Sequence, residues 1–222
     1  MRVLMVFRHL LRGRAQADAP GALRQARLYD LMSLVVFNRH RRRVYGRIVE
    51  LSGAQPGDRV LDVGCGPGYL TALAAGAVAS EGDAVGIDPS EPMIDRARQV
   101  RGHGNCSFEL GKAEALTAPD ASFDVVLSSL ALHHGPEAAR AKAISEMYRV
   151  LRPGGCAVVV DFRPPQGRLG QHLAGVLAGN DMRHNPIDRL APMAQDAGFT
   201  SVTSGDLGFS LHYVRAYRPV SP

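Results

Sequence analysis

Cysteine is scarce in this chain of 222 residues, and its placement excludes more than it permits. Cys65, Cys106 and Cys156 form no C-x-x-C pair and no metal-ligand cluster, and an odd number gives no complete disulfide framework. No metal is expected, and a reducing cytoplasm is the expected compartment. Long apolar runs are also missing. The opening stretch Met1–Phe7 is cut short by Arg8, His9 and Arg12, too soon for a spanning helix, and no convincing small-residue cleavage pattern follows it. There is no low-complexity tract, and 45% hydrophobic content suits one domain with a full core plus a terminal extension.

Negative charge is what the first part of the chain lacks. Residues 1–49 hold eleven arginines, no lysine, and only Asp18 and Asp30 as acids, a balance of +9; the net charge of +5 therefore leaves −4 for the remainder. Residues 1–52 read as a basic helical extension or lid, and 53–222 as the main domain. Leu31, Leu34 and Val35 fall on one helical stripe, with Arg39, Arg41, Arg42 and Arg43 near the helix end, where cations suit the dipole. Such a segment fits a helix packed on the domain edge with a solvated arginine face. It also fits peripheral contact with an anionic lipid surface, or contact with nucleic acid, although no aromatic base-stacking platform accompanies it.

What is present is concentrated in one dozen residues. Val60-Leu61-Asp62-Val63-Gly64-Cys65-Gly66-Pro67-Gly68-Tyr69-Leu70-Thr71 reads as a buried strand, a glycine turn and a helix start in immediate succession. Glycines on alternate positions let the main chain turn sharply and approach a ligand. A dinucleotide site spaces its third glycine one residue later, as G-x-G-x-x-G, whereas this chain has G-x-G-x-G. A second hydrophobic run, Ala84–Ile87, ends in Asp88, a carboxylate placed to accept ribose hydroxyls. Further strands are expected at 106–110, 123–127 and 156–161. Helices are expected at 69–79, from Ser90, at 137–151 with a stop at Arg152-Pro153-Gly154-Gly155, and from Asn185-Pro186 to Ala197. A final hairpin is expected over 199–204 and 208–217, turning at Gly205-Asp206. Alternating strands and helices predict an α/β fold, a mostly parallel doubly wound sheet with ligands at the carboxyl ends of its strands.

Four blocks in order, VLDVGCGPGYLT (60–71), GIDPSEPMIDRAR (86–98), GKAEALTAPDASFDVVLSSLALHH (111–134) and EMYRVLRPGG (146–155), resemble the class I S-adenosylmethionine-dependent methyltransferases. Within that class they are similar to the small-molecule branch of ubiquinone and menaquinone C-methyltransferases. The resemblance implies a Rossmann-like seven-stranded sheet of order 3-2-1-4-5-7-6 with the seventh strand antiparallel, and S-adenosyl-L-methionine as cofactor. It implies that backbone atoms of Gly64, Cys65 and Gly66 meet the methionine part, that Gly68 is also among the cofactor-binding residues, and that Asp62 fixes the loop or reaches the ammonium through water. Asp88, with Pro89 beside it, would hold the ribose; Met93 would lie on the adenine, or else serve as a helix core residue. Lys112, Ala113 and Glu114 occupy the loop that usually reads aspartate, alanine, glutamate. Lysine has donors only, so at 112 it cannot accept from the adenine amino group. Ser128 and Ser129 would line the methyl end. Tyr29 and Asp30 resemble a Tyr-Asp pair on a capping helix, with ordinary helix packing as the alternative.

The chemistry left to the protein is alignment, exclusion of water and removal of a proton. His133 and His134, just beyond the fourth strand, are candidate bases, or residues of the cofactor's surrounding loop; Asp161 is a further candidate. The stretch 163–185 reads either as a packing helix or as an apolar wall over the acceptor. Either way the expected partner is a small, hydrophobic or amphipathic molecule: a quinone precursor, a lipid or a natural product. DNA is not expected; a homodimer is compatible with the reading. Two other classes stay open, a cofactor-binding partner protein without activity and an RNA methyltransferase. The second lacks an Asn-Pro-Pro-Tyr type motif after the fourth strand, where Ser128-Ser129-Leu130-Ala131 stands.

Overall fold

A computed structural model describes residues 42–163, 187–208 and 211–220. Helix α1 spans 42–52. It is followed by β1 (Arg59–Val63), α2 (Tyr69–Val78), β2 (Asp83–Asp88), α3 (Glu91–Arg101), β3 (Cys106–Leu110), β4 (Phe123–Ser129) and α4 (Glu137–Val150). The chain continues through β5 (Leu151–Phe162), α5 (Leu190–Asp196), β6 (Thr200–Gly208) and β7 (Leu211–Tyr217). The seven strands lie in the order β3-β2-β1-β4-β5-β7-β6, as the resemblance implies. Neighbours are parallel except β7, which runs antiparallel to β5 and β6.

Strands β1 and β4 sit in the centre and are apolar on both sides, which is why their sequences read as near-continuous runs rather than alternations. One face carries α1, α2 and α3, burying Ile48, Leu70, Val78, Ile94 and Phe108 against Val60, Val125 and Val158. The other carries α4 and α5, burying Ile144, Met147, Leu190 and Met193 against Leu61, Val126 and Val159. Among the described residues no helix is long and apolar enough to cross a membrane.

Three sequence expectations move. Arg152–Gly155 does not separate helix from strand: β5 begins at Leu151, and the Pro-Gly-Gly segment bulges out between the pairs Phe123–Leu151 and Val125–Cys156, with Gly154 at φ +84°. The last hairpin does not turn at Gly205-Asp206. Both lie inside β6, paired with Tyr213 and His212. Gly205 is there for close approach: a Cβ on it would come within 2.8 Å of the Tyr213 ring. The helix expected from Asn185 starts outside the described residues; at 187–189 the chain forms a tight 3-10 turn and only from Leu190 an α-helix.

Candidate functional site

The turn between β1 and α2 is held almost entirely by main chain. Gly64, Gly66 and Gly68 all have positive φ, +76°, +53° and +82°, the left-handed region that side chains disfavour. Gly64 and Cys65 donate their N–H groups to the Ile87 carbonyl at 2.8 and 2.9 Å. Gly66 donates to Asp88 Oδ2 at 2.9 Å, and Gly68 donates to the Cys65 carbonyl at 3.0 Å. Pro67 has no N–H, so the donors of the loop are spent inside the protein. A pyrophosphate site needs such donors turned outward. This loop therefore suits a ligand end that carries positive charge, and the nearby charges agree.

Asp62, 1% exposed, lies at the end of β1 and accepts from Thr71 Oγ1 at 2.6 Å. Burial pushes its carboxyl up to about 7; the Thr71 hydroxyl and N–H oppose that rise, and the charge of Asp88 adds to it. Asp62 thus clamps the loop to the first turn of α2, one of the two roles expected for it. Burial likewise pushes the Cys65 thiol far above its ordinary range, leaving it a packing group and not a nucleophile. Asp88 accepts from Gly66 on one oxygen and from the Ser90 N–H at 2.9 Å on the other. Each carboxylate oxygen has a second lone pair, so both can also accept from a ribose diol. A Cβ on Gly66 would meet no protein atom within 4 Å, whereas one on Gly64 would collide with the Cβ of Ala131. The loop is open on the Gly66 side and closed against the turn after β4.

On the expected adenine side, the Gly111 N–H donates to the Asp88 carbonyl at 3.2 Å and draws the loop after β3 toward the site. Lys112 is exposed, Ala113 and Glu114 are half-buried, and the Ala115 N–H closes a small turn on the Lys112 carbonyl at 3.1 Å. Helix α4 pins this loop: Glu146 accepts from the Leu116 N–H, and Arg149 donates to the Leu116 and Ala118 carbonyls. The Arg149 guanidinium beside Glu146 holds that carboxyl below its ordinary range. Met93 is buried but belongs to neither core cluster, and Pro89 is exposed.

After β4 the character changes from main chain to side chain. Ser128 Oγ donates to the Val63 carbonyl at 2.9 Å, tying β4 to β1, while the buried Ser129 Oγ has no hydrogen-bond partner among the described residues. Leu130 takes φ +56°, and the chain then forms a 3-10 turn over Leu132–His134. His133 Nδ1 meets Asp161 Oδ1 at 2.7 Å, and the two side chains are 6% and 1% exposed. The main-chain N–H groups of His133 (3.2 Å) and Phe162 (2.7 Å) also donate to this carboxyl. The sequence nominated His133 and Asp161 separately; the structure joins them. The His134 side chain, Tyr29 and Asp30 lie outside the described residues. Next to the pair is a second polar group that sequence reasoning missed. Arg163 Nη atoms reach Asp206 at 3.2 Å, Asp188 at 3.3 Å and His212 Nε2 at 3.1 Å, and His212 Nδ1 meets Asp206 at 2.7 Å. His212 stands opposite Asp161 in the β5–β7 ladder.

Residues 60–155 match the family described as a methyltransferase domain. The chain is 33% identical over 207 residues to the ubiquinone/menaquinone biosynthesis C-methyltransferase UbiE of Yersinia enterocolitica, covering 81% of each protein. It is 34% identical over 203 residues to the protein of the same name from Photorhabdus laumondii, covering 79% of each. Among solved structures it is similar to a Haloferax volcanii methyltransferase in complex with the Trm112 methyltransferase activator, with a TM-score of 0.72 at 19% identity, covering 89% of this chain and 97% of that one. It also resembles an S-adenosylmethionine-dependent methyltransferase from Aquifex aeolicus, with a TM-score of 0.64 at 21% identity, covering 78% and 89%.

Proposed function

Because the chain belongs to the class I S-adenosylmethionine-dependent methyltransferases of the ubiquinone/menaquinone type, we propose that its acceptor is a ring carbon of a hydroxylated quinone precursor or a similar amphipathic molecule. The observation that carries this reading is the buried His133–Asp161 pair, set on the turn whose Ala131 packs against Gly64. Bound S-adenosylmethionine supplies a methyl group already activated by its sulfonium. Main-chain atoms of Gly64, Cys65 and Gly66 receive its amino-acid end, Asp88 its ribose, and Met93 with Ala113 its adenine. Ser128 and Ser129 border the methyl end.

Carbon methylation of a hydroxylated ring needs electron density pushed from oxygen to the neighbouring carbon, and a group to take the released proton. With its Nδ1–H donated to Asp161, the His133 imidazole would hold its lone pair on Nε2, and that nitrogen would take the hydroxyl proton as the ring carbon attacks the methyl group and the carbon–sulfur bond breaks, releasing the demethylated cofactor. The methylated carbon would then lose its hydrogen as a proton to water while the oxygen regains the proton held by His133, which restores the conjugated ring and the neutral imidazole. Asp161 fixes the tautomer and aim of the imidazole, the role a carboxylate plays behind a catalytic histidine elsewhere. The arginine-rich segment before α1 supports an amphipathic acceptor presented at an anionic surface.

The experiment is incubation of the full chain with S-adenosylmethionine and separate acceptors: hydroxylated prenyl-ring compounds, phospholipids, simple phenols and tRNA. Demethylated cofactor and the mass of the product are the readouts. Ring-methylated product from the first set is the expected result. Turnover confined to phospholipid or tRNA overturns the acceptor class.

A further inference from the structure

Arg101, the last residue of α3, reaches the glycine loop. Its Nη1 donates to the Pro67 carbonyl at 2.7 Å, and its guanidinium lies 5.5 Å from the centre of the Tyr69 ring. The far end of the same peptide group is also held, because the Gly68 N–H donates to the Cys65 carbonyl. A peptide unit is planar, so gripping its oxygen from one side and its N–H from the other fixes the orientation of the whole plane. That plane sits between Gly66, where the loop is open, and Tyr69, where α2 begins. Tyr69 in turn touches a third element: its ring centre is 5.5 Å from that of Tyr45 on α1, the planes inclined at 43°. A continuous line of contacts therefore runs from α1 through Tyr45, Tyr69 and Arg101 to the Pro67 carbonyl.

We propose that Arg101 is a positioning residue for the methyl-donor loop and that Tyr45 on α1 acts on the loop through Tyr69 and Arg101. The inference rests on the reading that Gly64–Gly68 carries the cofactor. It adds that α1, the helix onto which the arginine-rich segment leads, has a physical connection to the strength of cofactor binding. A guanidinium making one charged hydrogen bond and one cation–π contact is strong enough to matter at this scale.

The test is calorimetric affinity of the full chain for the demethylated cofactor, with steady-state kinetics and melting temperatures, for Arg101→Met, Arg101→Lys, Tyr45→Ala, the double variant Arg101→Met/Tyr45→Ala, and Gly66→Ala. Arg101→Met is expected to weaken binding about tenfold and raise KM for S-adenosylmethionine in step, with kcat at saturation within about twofold. Arg101→Lys keeps a charged donor and should recover most of the loss. Tyr45→Ala should weaken binding about threefold alone and add nothing on top of Arg101→Met, the signature of one connected path. Should Arg101→Met not fold, Arg101→Gln, which also removes the charge, takes its place. Unchanged affinity in Arg101→Met or, where it does not fold, in Arg101→Gln overturns the positioning role; unchanged affinity in Tyr45→Ala, or losses from Tyr45→Ala and the Arg101 variant that simply multiply, overturn the path through Tyr45. Gly66→Ala separates the two readings. Binding lost there but intact in the Arg101 variants sinks only the brace, whereas binding intact in both sinks the assignment of the loop itself.

Discussion

The two halves of the sheet solve different problems by different means. On the β1–β3 side the site is made of backbone: glycine φ angles, N–H groups turned onto Ile87 and Asp88, and one carboxyl clamped to Thr71. On the β4–β7 side it is made of side chains, His133 on Asp161 and Arg163 on Asp188, Asp206 and His212. The lesson is a division of labour. On the proposed assignment, a ligand shared by a whole family would be met by main chain, whose shape depends on few residue types, and the molecule that receives the methyl group by side chains that can change without disturbing the first half.

The sharpest way to break this comparison is to damage one half and measure the other. His133→Gln and Asp161→Asn are expected to lower kcat by roughly 100-fold or more, the scale of a lost general base or its orienting partner, while affinity for the demethylated cofactor stays within about twofold. Stopped assays with a ring acceptor, paired with calorimetry, read both numbers. An equal loss in cofactor affinity would show that the halves are not separable.

A second test lies in the effect of pH on the stability of the protein through Asp62. Its carboxyl is pushed up to about 7 by burial, from an ordinary 3.8. Below pH ~4 both the folded and unfolded chains hold this proton, and it has no effect on stability. Between pH ~4 and ~7 the unfolded chain releases it while the folded chain keeps it, so stability falls as pH rises, and above pH ~7 the full penalty is constant. At about 1.4 kcal/mol per pKa unit, the penalty reaches about 4 kcal/mol. Urea unfolding of the parent and of Asp62→Asn across this range should give curves that converge at acid pH and separate toward neutrality, with the variant the more stable. Parallel curves would mean that Asp62 is ionised within the fold.

The smallest effect sharpens the contrast within the loop. Gly64→Ala places a methyl group against Ala131 and should cost roughly 2–3 kcal/mol of stability, since loop and turn must part. Gly66→Ala points into open space and should cost only about 1 kcal/mol, the price of a left-handed alanine. Thermal unfolding without ligand distinguishes them; equal shifts would refute the packing of Gly64 on the turn after β4.

How much of this was legible beforehand follows from the same division. The glycine spacing, Asp62 and Asp88 announce themselves, because a strand followed by a tight turn needs those residue types in that order. Strand order came through resemblance, and the sheet has it. What stayed hidden was every partnership between distant side chains. Nothing in the letters joins His133 to Asp161 or Arg163 to His212, since such pairs have no period and form only once β5 lies between β4 and β7. Gly205 misled because a glycine beside an aspartate is usually a turn, whereas here the missing side chain makes room for Tyr213. Thr71 was within reach: it lies on the first turn of the helix that the glycine loop feeds, facing back toward the acid that precedes the loop.

The internal spending of the loop's donors has a thermodynamic side. A loop that is loose until its ligand arrives must surrender conformational entropy at every encounter, and that loss is subtracted from the affinity. Here the turn from Gly64 to Gly68 is hydrogen-bonded to Ile87, Asp88 and itself, through contacts that the protein supplies entirely from its own atoms. Its order is set once, when the protein folds, and is not demanded again at each turnover.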